Sequence, residues 1–323
     1  MIFKLIQYAK YKLIFGIYLF VFFTLFPHIG SAAQSDSTYI APFRQEFSTG
    51  IYSYYQFTRL THHIDDNNST TYIPNSPLGF GLSVSYKKFG LSVGMGFKAL
   101  RNPKFGKTRV IDWQYHYYGR KLILDFFLQN YKGFYSRGDD RTIILHPDIT
   151  LAQYGLFGQY IFNNKKFSYR AAFNQSERQL RSAGSFQLGG GFYYNYVSSD
   201  TSLVINDKKK LKSYQLALSG GYVYTWVIER DYHIALGMSM GVNFGTENFN
   251  MKKIEVSPNI FPRISTGYNA DSWSVRLSFV LNRIYVSRNE NLNMLFNTGY
   301  AELSFTKRFE KSPKFLRQIK FLD

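Results

Sequence analysis

The chain contains no cysteine, which excludes disulfides, thiolate metal sites and a lipid-modified N-terminal cysteine. Tryptophan is scarce, with 3 in 323 residues, and acids are outnumbered, with 21 Asp+Glu against 39 Lys+Arg. Past residue 26 there is no apolar run near the roughly 20 residues that a spanning helix needs. Mean hydropathy is −0.24, so a helical membrane protein is excluded as well. What the chain has in quantity is aromatic residues, 31 Phe and 27 Tyr. A chain this aromatic yet hydrophilic on average points to alternating strands rather than apolar helices.

The N-terminus has the form of an export signal. Lys4, Lys10 and Lys12 precede the apolar stretch LIFGIYLFVFFTLF (Leu13–Phe26), and PHIGSAA then offers small residues at Ser31 and Ala33. This pattern predicts cleavage near Ala33. The expected organisation is a signal peptide over 1–33, a periplasmic segment over 34–46, a barrel over 47–309 and a basic tail over 310–323. Without the signal, 36 basic residues (39 − 3) face 21 acids, a net charge of +15.

From Phe47 onward, period-two segments recur. The alternation predicts strands over 47–61, 78–86, 91–97, 110–118, 121–129, 151–162, 167–174, 184–197, 214–228, 232–244, 260–268, 273–285 and 299–309. Tight connections (87–90, 118–121, 163–166, 229–231, 269–272) alternate with longer polar ones (62–77, 98–109, 130–150, 175–183, 245–259, 286–298). Short turns at one end and long loops at the other mark an outer-membrane barrel.

A length test supports this. Tyr214 to Trp226 and Tyr232 to Phe244 are each twelve steps with oily residues on one face and Gly, Ala, Ser or polar residues on the other. Twelve steps span about 40 Å of strand, or about 28 Å of height at a tilt of about 45°, close to the ~25 Å apolar band of such barrels. Tyr214, Tyr224, Trp226, Tyr232 and Phe244 then become girdle candidates at the two interfaces. The predicted fold class is all-β, a transmembrane antiparallel up-and-down β-barrel. Thirteen segments is an odd number, and single-chain bacterial barrels use even ones. Adding TSLVIN (Thr201–Asn206) gives 14 strands; removing the proline-bearing NIFPRISTGY (Asn259–Tyr268) gives 12.

If the oily face meets lipid, Asp112, Gln114, His116, Asp125 and Gln129 point inward from two adjacent strands. The same rule turns Arg170, Arg263, Arg276 and Glu302 inward, with Arg276 and Glu302 on neighbouring strands. Such a wall serves either as a charged constriction in a pore or as a satisfied polar network that fills the barrel.

Catalytic and cofactor chemistry finds no support in the sequence. His116 has no serine at i±2, His62, His63 and Asp65 lack a metal-ligand spacing, and LGGG (188–191) lacks the strand–turn–helix setting of a nucleotide site. No cofactor is implied. The basic runs DKKKLK (207–212) and KSPKFLRQIK fit lipid headgroups and lipopolysaccharide phosphates better than nucleic acid. The segment TGYAELSFTKRF ends on Phe309, as the final strand recognised by the barrel-insertion machinery does.

At YGRKLILDFFLQNYKGFY and YIFNNKKFSYRAAFNQSERQLRSAGSFQLGGGFYYN the chain resembles a family of uncharacterised exported proteins of the Bacteroidetes, a domain of unknown function read as an outer-membrane β-barrel. The likeness runs from about Tyr39 to Phe309. It implies compartment and architecture and transfers no catalytic or binding residue. Three functions stay open: a narrow passive or weakly selective channel, a non-conducting structural or accessory barrel of an envelope complex, and a membrane-embedded enzyme acting on lipid or lipopolysaccharide.

Overall fold

The computed structural model describes residues 35–313, except 65–67, 77, 87–88, 202, 204–208, 249, 251 and 290–291. The expected signal over 1–33 and most of the basic tail lie outside the described residues, as does most of TSLVIN. Fifteen strands appear in chain order: β1 (Ile40–Pro42), β2 (Phe47–His63), β3 (Ser69–Tyr72), β4 (Gly79–Tyr86), β5 (Phe89–Gly96), β6 (Arg109–Tyr118), β7 (Leu122–Arg137), β8 (Ile143–Ile161), β9 (Glu177–Gln179), β10 (Ala183–Ser198), β11 (Lys210–Ile228), β12 (Tyr232–Glu247), β13 (Glu255–Asn269), β14 (Trp273–Asn289) and β15 (Leu292–Phe309).

Twelve of them form one antiparallel path, β5-β4-β2-β15-β14-β13-β12-β11-β10-β8-β7-β6, in which sequence neighbours pair and the last strand returns to the first. That is the up-and-down barrel the alternation predicts. Among the described residues no ladder joins β5 to β6, the two ends of the path. The gap between β2 and β7 is bridged at one rim, where β3 pairs with β2 and Ile73 pairs with Tyr135.

Among the described residues the path has twelve strands, and the segment that leaves the tally is not the one the prolines suggested. NIFPRISTGY lies inside β13. Its pairing to β14 lapses at Phe261 and Pro262 and resumes in the same register at Arg263, because proline has no N–H to give the ladder. The false strand is 167–174. Tyr169–Phe173 is a one-turn helix, α1, capped by Ser168, whose side chain accepts from the Ala171 N–H at 3.0 Å.

The pattern of connections is corrected too. The segment from 162 to 182 is long, yet it lies at the same end as the tight turns after β4, β6, β11 and β13. At the other end, most of 130–150, 245–259 and 286–298 is strand rather than loop, since β7, β8, β12, β13, β14 and β15 run on into tall hairpins. The 198–212 segment falls at this long-strand end.

The oily alternate residues face outward. On β11 and β12, Leu216, Leu218, Leu236 and Met240 are exposed while Ala217, Ser219, Ala235 and Ser239 are buried. The core therefore lies inside the curl of the sheet, in three tiers. Near the long-strand end it is built from Leu60, Tyr131, Phe134, Leu151, Val286 and Phe296. Phe157, Tyr193, Phe261 and Ile284 fill the middle, and α1 with Ile123, Phe167, Val223 and Ala235 fills the short-turn end.

Candidate functional site: a filled polar interior

Period two on β6 and β7 aims alternate side chains into the interior, and their register sets His116 opposite Asp125 and Asp112 opposite Gln129. The result is two separate carboxylate networks rather than one patch. Asp125, buried, meets His116 Nδ1 at 2.6 Å on one oxygen. Its other oxygen accepts from Arg263 Nη2 at 3.0 Å, from β13 on the facing wall. Arg263 also sits over the Tyr169 ring of α1, 5.9 Å from its centroid.

Asp112 lies nearer the long-strand end. It accepts from Gln129 Nε2 at 3.0 Å, Gln114 Nε2 at 3.1 Å and the Tyr131 hydroxyl at 3.2 Å. Gln56, on β2 across the β5–β6 gap, also donates to Asp112 and reaches Tyr131 Oη at 2.9 Å. Buried Asp125 is thus met by a guanidinium and an imidazole, as burial requires, whereas half-buried Asp112 is held by neutral amide and phenol donors.

Arg276 and Glu302 pair across β14 and β15. Arg276 donates a further hydrogen bond to the carbonyl of Phe173, the last residue of α1. Arg170 does not sit on a barrel strand as the alternation predicts, because α1 replaces the strand. It belongs to a network that sequence reasoning missed: Arg170 Nη2 lies 2.8 Å from Glu177, and Arg120 grips the same carboxylate with two bonds of 2.9 Å. Ser168 Oγ also donates to Glu177. Burial alone pushes the Glu177 carboxyl up, but the arginines and Ser168 outweigh it and hold the group below its ordinary value. The signal in the sequence was the Ser168 cap followed by Ala171-Ala172, which favour helix over strand.

A small second sheet secures this segment. β9 pairs with β1. Arg178 on β9 reaches Asp271 at 2.7 Å, Asp231 at 2.8 Å and the Asn269 carbonyl at 2.6 Å, tying the plug to two turns of the rim. Arg308 donates to the Gln175 carbonyl at 3.0 Å and stacks over Phe43 at 3.3 Å.

Between the tiers lies a cavity of about 60 Å³, bordered by Gln114, His116, Asp125, Gln159, Gln187 and Arg263 among others. It has room for a few water-sized groups. Gln159 and Gln187 both donate to Ser239 Oγ, at 3.2 and 2.5 Å. An amide ladder continues toward the long-strand end, from Asn259 to Asn243 at 2.6 Å and from Asn243 to Gln215 at 3.1 Å. The small inward residues of β11 and β12 make room for these groups and for Phe173 of α1, which comes against Gly237.

The girdle candidates fall at both rims of the outward face. Tyr154, Tyr194 and Tyr214 stack in one row across β8, β10 and β11, with centroids 5.9 and 4.9 Å apart. At the short-turn end Tyr224 meets Trp226 at 4.8 Å, and Tyr232 meets Tyr268 at 4.7 Å. Phe244 is exposed near the long-strand end. Among the described residues no group of three His, Asp or Glu side chains is arranged to hold a metal ion.

Fold and site together define an antiparallel β-barrel with an apolar exterior, aromatic rims and a packed polar interior. The chain belongs to the family described as Domain of unknown function (DUF4421), whose profile matches residues 34–309. No curated protein matches it significantly in sequence. Among solved structures, the outer membrane protease OmpT from Escherichia coli is 7% identical with a TM-score of 0.38, over 84% of this chain and 100% of that one. The beta domain of the Bordetella autotransporter BrkA is 11% identical at 0.37, over 81% and 100%. The Pseudomonas putida toluene transporter TodX is 9% identical at 0.28, over 83% and 91%. These scores are too low for any property of the three proteins to carry over.

Proposed function

We propose that the chain is a non-conducting β-barrel of a Gram-negative outer membrane, serving as a structural or accessory component of the envelope. The carrying observation is the filled interior: three stacked tiers of side chains and a folded-in plug leave a cavity of only about 60 Å³ between them. A pore needs a continuous wet path, and the middle tier alone puts Phe157, Tyr193 and Phe261 across it.

The membrane setting is supported by the exposed apolar face. Leu188, Leu218, Met240 and Leu277 are each more than half exposed, and aromatic residues flank them at both rims. A soluble protein rarely leaves so continuous an apolar surface in water. With the short-turn end toward the periplasm, β1 and β9 face inward and the tall hairpins face outward, as in other such barrels.

The enzyme reading has one geometric point in its favour, since Ser136 Oγ lies 2.7 Å from His146 Nε2. Both residues are buried, with the Tyr72 ring packed edge-on against the imidazole, which denies a substrate access to the hydroxyl. Liposome swelling tests the proposal: vesicles carrying the folded barrel should not swell in isotonic arabinose. Swelling above that of empty vesicles would return the channel reading.

A further inference from the structure

Arg59 on β2, Asn297 on β15 and Arg283 on β14 stand side by side in one register row, each on the outward face. The two arginines flank Asn297 from either side. With strands about 4.8 Å apart, their Cα atoms are roughly 10 Å from each other, close enough for two long guanidinium side chains to converge over the amide. Both are exposed, and among the described residues neither has an ion pair. The outward positions of these three strands, residues 47–61, 273–285 and 293–309 taken alternately, contain no Asp or Glu.

Height along the barrel gives the row its meaning. Phe47 to Arg59 (59 − 47) and Asn297 to Phe309 (309 − 297) are each twelve steps, and Phe47 and Phe309 pair at the short-turn rim with rings 5.6 Å apart. Twelve steps are again about 28 Å of height, so the row stands at the far edge of a ~25 Å apolar band. Directly below it Phe57 and Phe279 stack at 5.4 Å beside Gly299, whose missing side chain gives the Phe57 ring its place. Lower still, Tyr55, Leu277, Leu303 and Phe305 continue an exposed apolar strip.

We infer that Arg59, Asn297 and Arg283 form an outward clamp for the phosphate of an outer-leaflet phosphorylated lipid, whose acyl chains lie along the strip beneath. This rests on the membrane-barrel reading above. Guanidinium groups bind phosphate through paired N–H donors, and their stems can lie on apolar surface while the heads stay at the interface. Charge complementarity selects the occupant, because two unneutralised cations above an apolar strip match a lipid with anionic phosphate at the headgroup. A zwitterionic phospholipid supplies less net charge to the same two arginines.

The test uses the full processed chain in detergent micelles, with bisphosphorylated lipid A, its dephosphorylated form and phosphatidylethanolamine as probes read by native mass spectrometry. Wild type should retain bisphosphorylated lipid A at least tenfold better than either other lipid, with the preference falling as salt rises. Arg59→Gln/Arg283→Gln should lose most of that preference, while Lys252→Gln/Lys253→Gln, at the same end but in the loop beyond β12, should keep it. Equal retention by the Arg59→Gln/Arg283→Gln protein, or binding indifferent to phosphate, overturns the clamp. Heat-modifiable migration checks each variant for a folded barrel. If wild type itself lacks heat modifiability and does not enter lipid vesicles, the membrane reading fails, an outcome distinct from a folded barrel that ignores lipid phosphate.

Discussion

Asp125 on β7 and Arg263 on β13 meet at 3.0 Å across the interior, although 138 positions separate them in the chain. Both side chains are largely buried, at 9% and 15% exposure. The pair is a strut between opposite walls, and His116 completes it on the free carboxylate oxygen. Breaking such a pair leaves a buried charge unanswered, at a cost of about 3–5 kcal/mol. Arg263→Met should therefore lower the urea midpoint in lipid vesicles more than Arg263→Met/Asp125→Leu does. A double-variant loss equal to the sum of the Arg263→Met and Asp125→Leu losses would show that the pair is not coupled.

The plug hangs on Glu177. Its carboxyl is held below its ordinary value of 4.5 by Arg170, Arg120 and Ser168 against the opposing effect of burial. A depressed carboxyl contributes stability that is present above the unfolded value and lost as pH falls through the folded one. Hydrogen-exchange protection in 168–179, taken relative to the intrinsic rate at each pH, should be high at pH 7 and fall only well below pH 4.5. Glu177→Gln should exchange fast already at pH 7, with a flat acid response. Acid-induced loosening in the Glu177→Gln protein equal to that of wild type would place the titration elsewhere.

Two neighbouring glycines should behave oppositely. A Cβ at Gly241 would run into the carbonyl oxygen of Leu218, which is backbone and cannot step aside, whereas at Gly220 the nearest atom is Gln187 O at 3.9 Å. Gly241→Ala is expected to cost about 1–3 kcal/mol. Gly220→Ala should be neutral or gain up to about 1 kcal/mol by restricting the unfolded chain. Melting curves followed by gel migration compare the two.

Met240, 57% exposed at mid-height of β12, tests what the outer face meets. In lipid, Met240→Arg should cost about 2–4 kcal/mol; on a wet surface the change would be within about 0.5 kcal/mol. Folding titrations into phospholipid vesicles decide between them.

Much of the fold was legible because outward Leu, Ile and Met alternate with inward Gly, Ala and Ser over twelve-residue stretches, and period two fixes which face is which. The misreading at 167–174 has a clear cause. Phe167, Tyr169 and Ala171 alternate like a strand, yet Tyr169 and Phe173 are also i and i+4 on a helix, so a short apolar run fits both periods. Strand ends were set too low at the long-strand end because the polar residues there suggested loops, although a strand rising beyond an apolar band has no need of oily residues. Asp112, Asp125, Arg263, Arg276 and Glu302 were placed inward by alternation alone. The Asp112 partners Gln56 and Tyr131, and the separate network of Glu177 with Arg120 and Arg170, were not, since those contacts depend on how the sheet curls and on a plug whose docking no local pattern encodes.

Planar-bilayer recording of the purified chain, after heat-modifiable folding, asks whether a barrel in the outer membrane is filled. The membrane should stay silent from about 0.1 to 1 M KCl, where the Debye length falls from ~10 to ~3 Å, at both polarities and for wild type and Glu177→Gln alike, because the middle tier persists when the plug loosens. Reproducible unitary current steps from the wild-type barrel would contradict it.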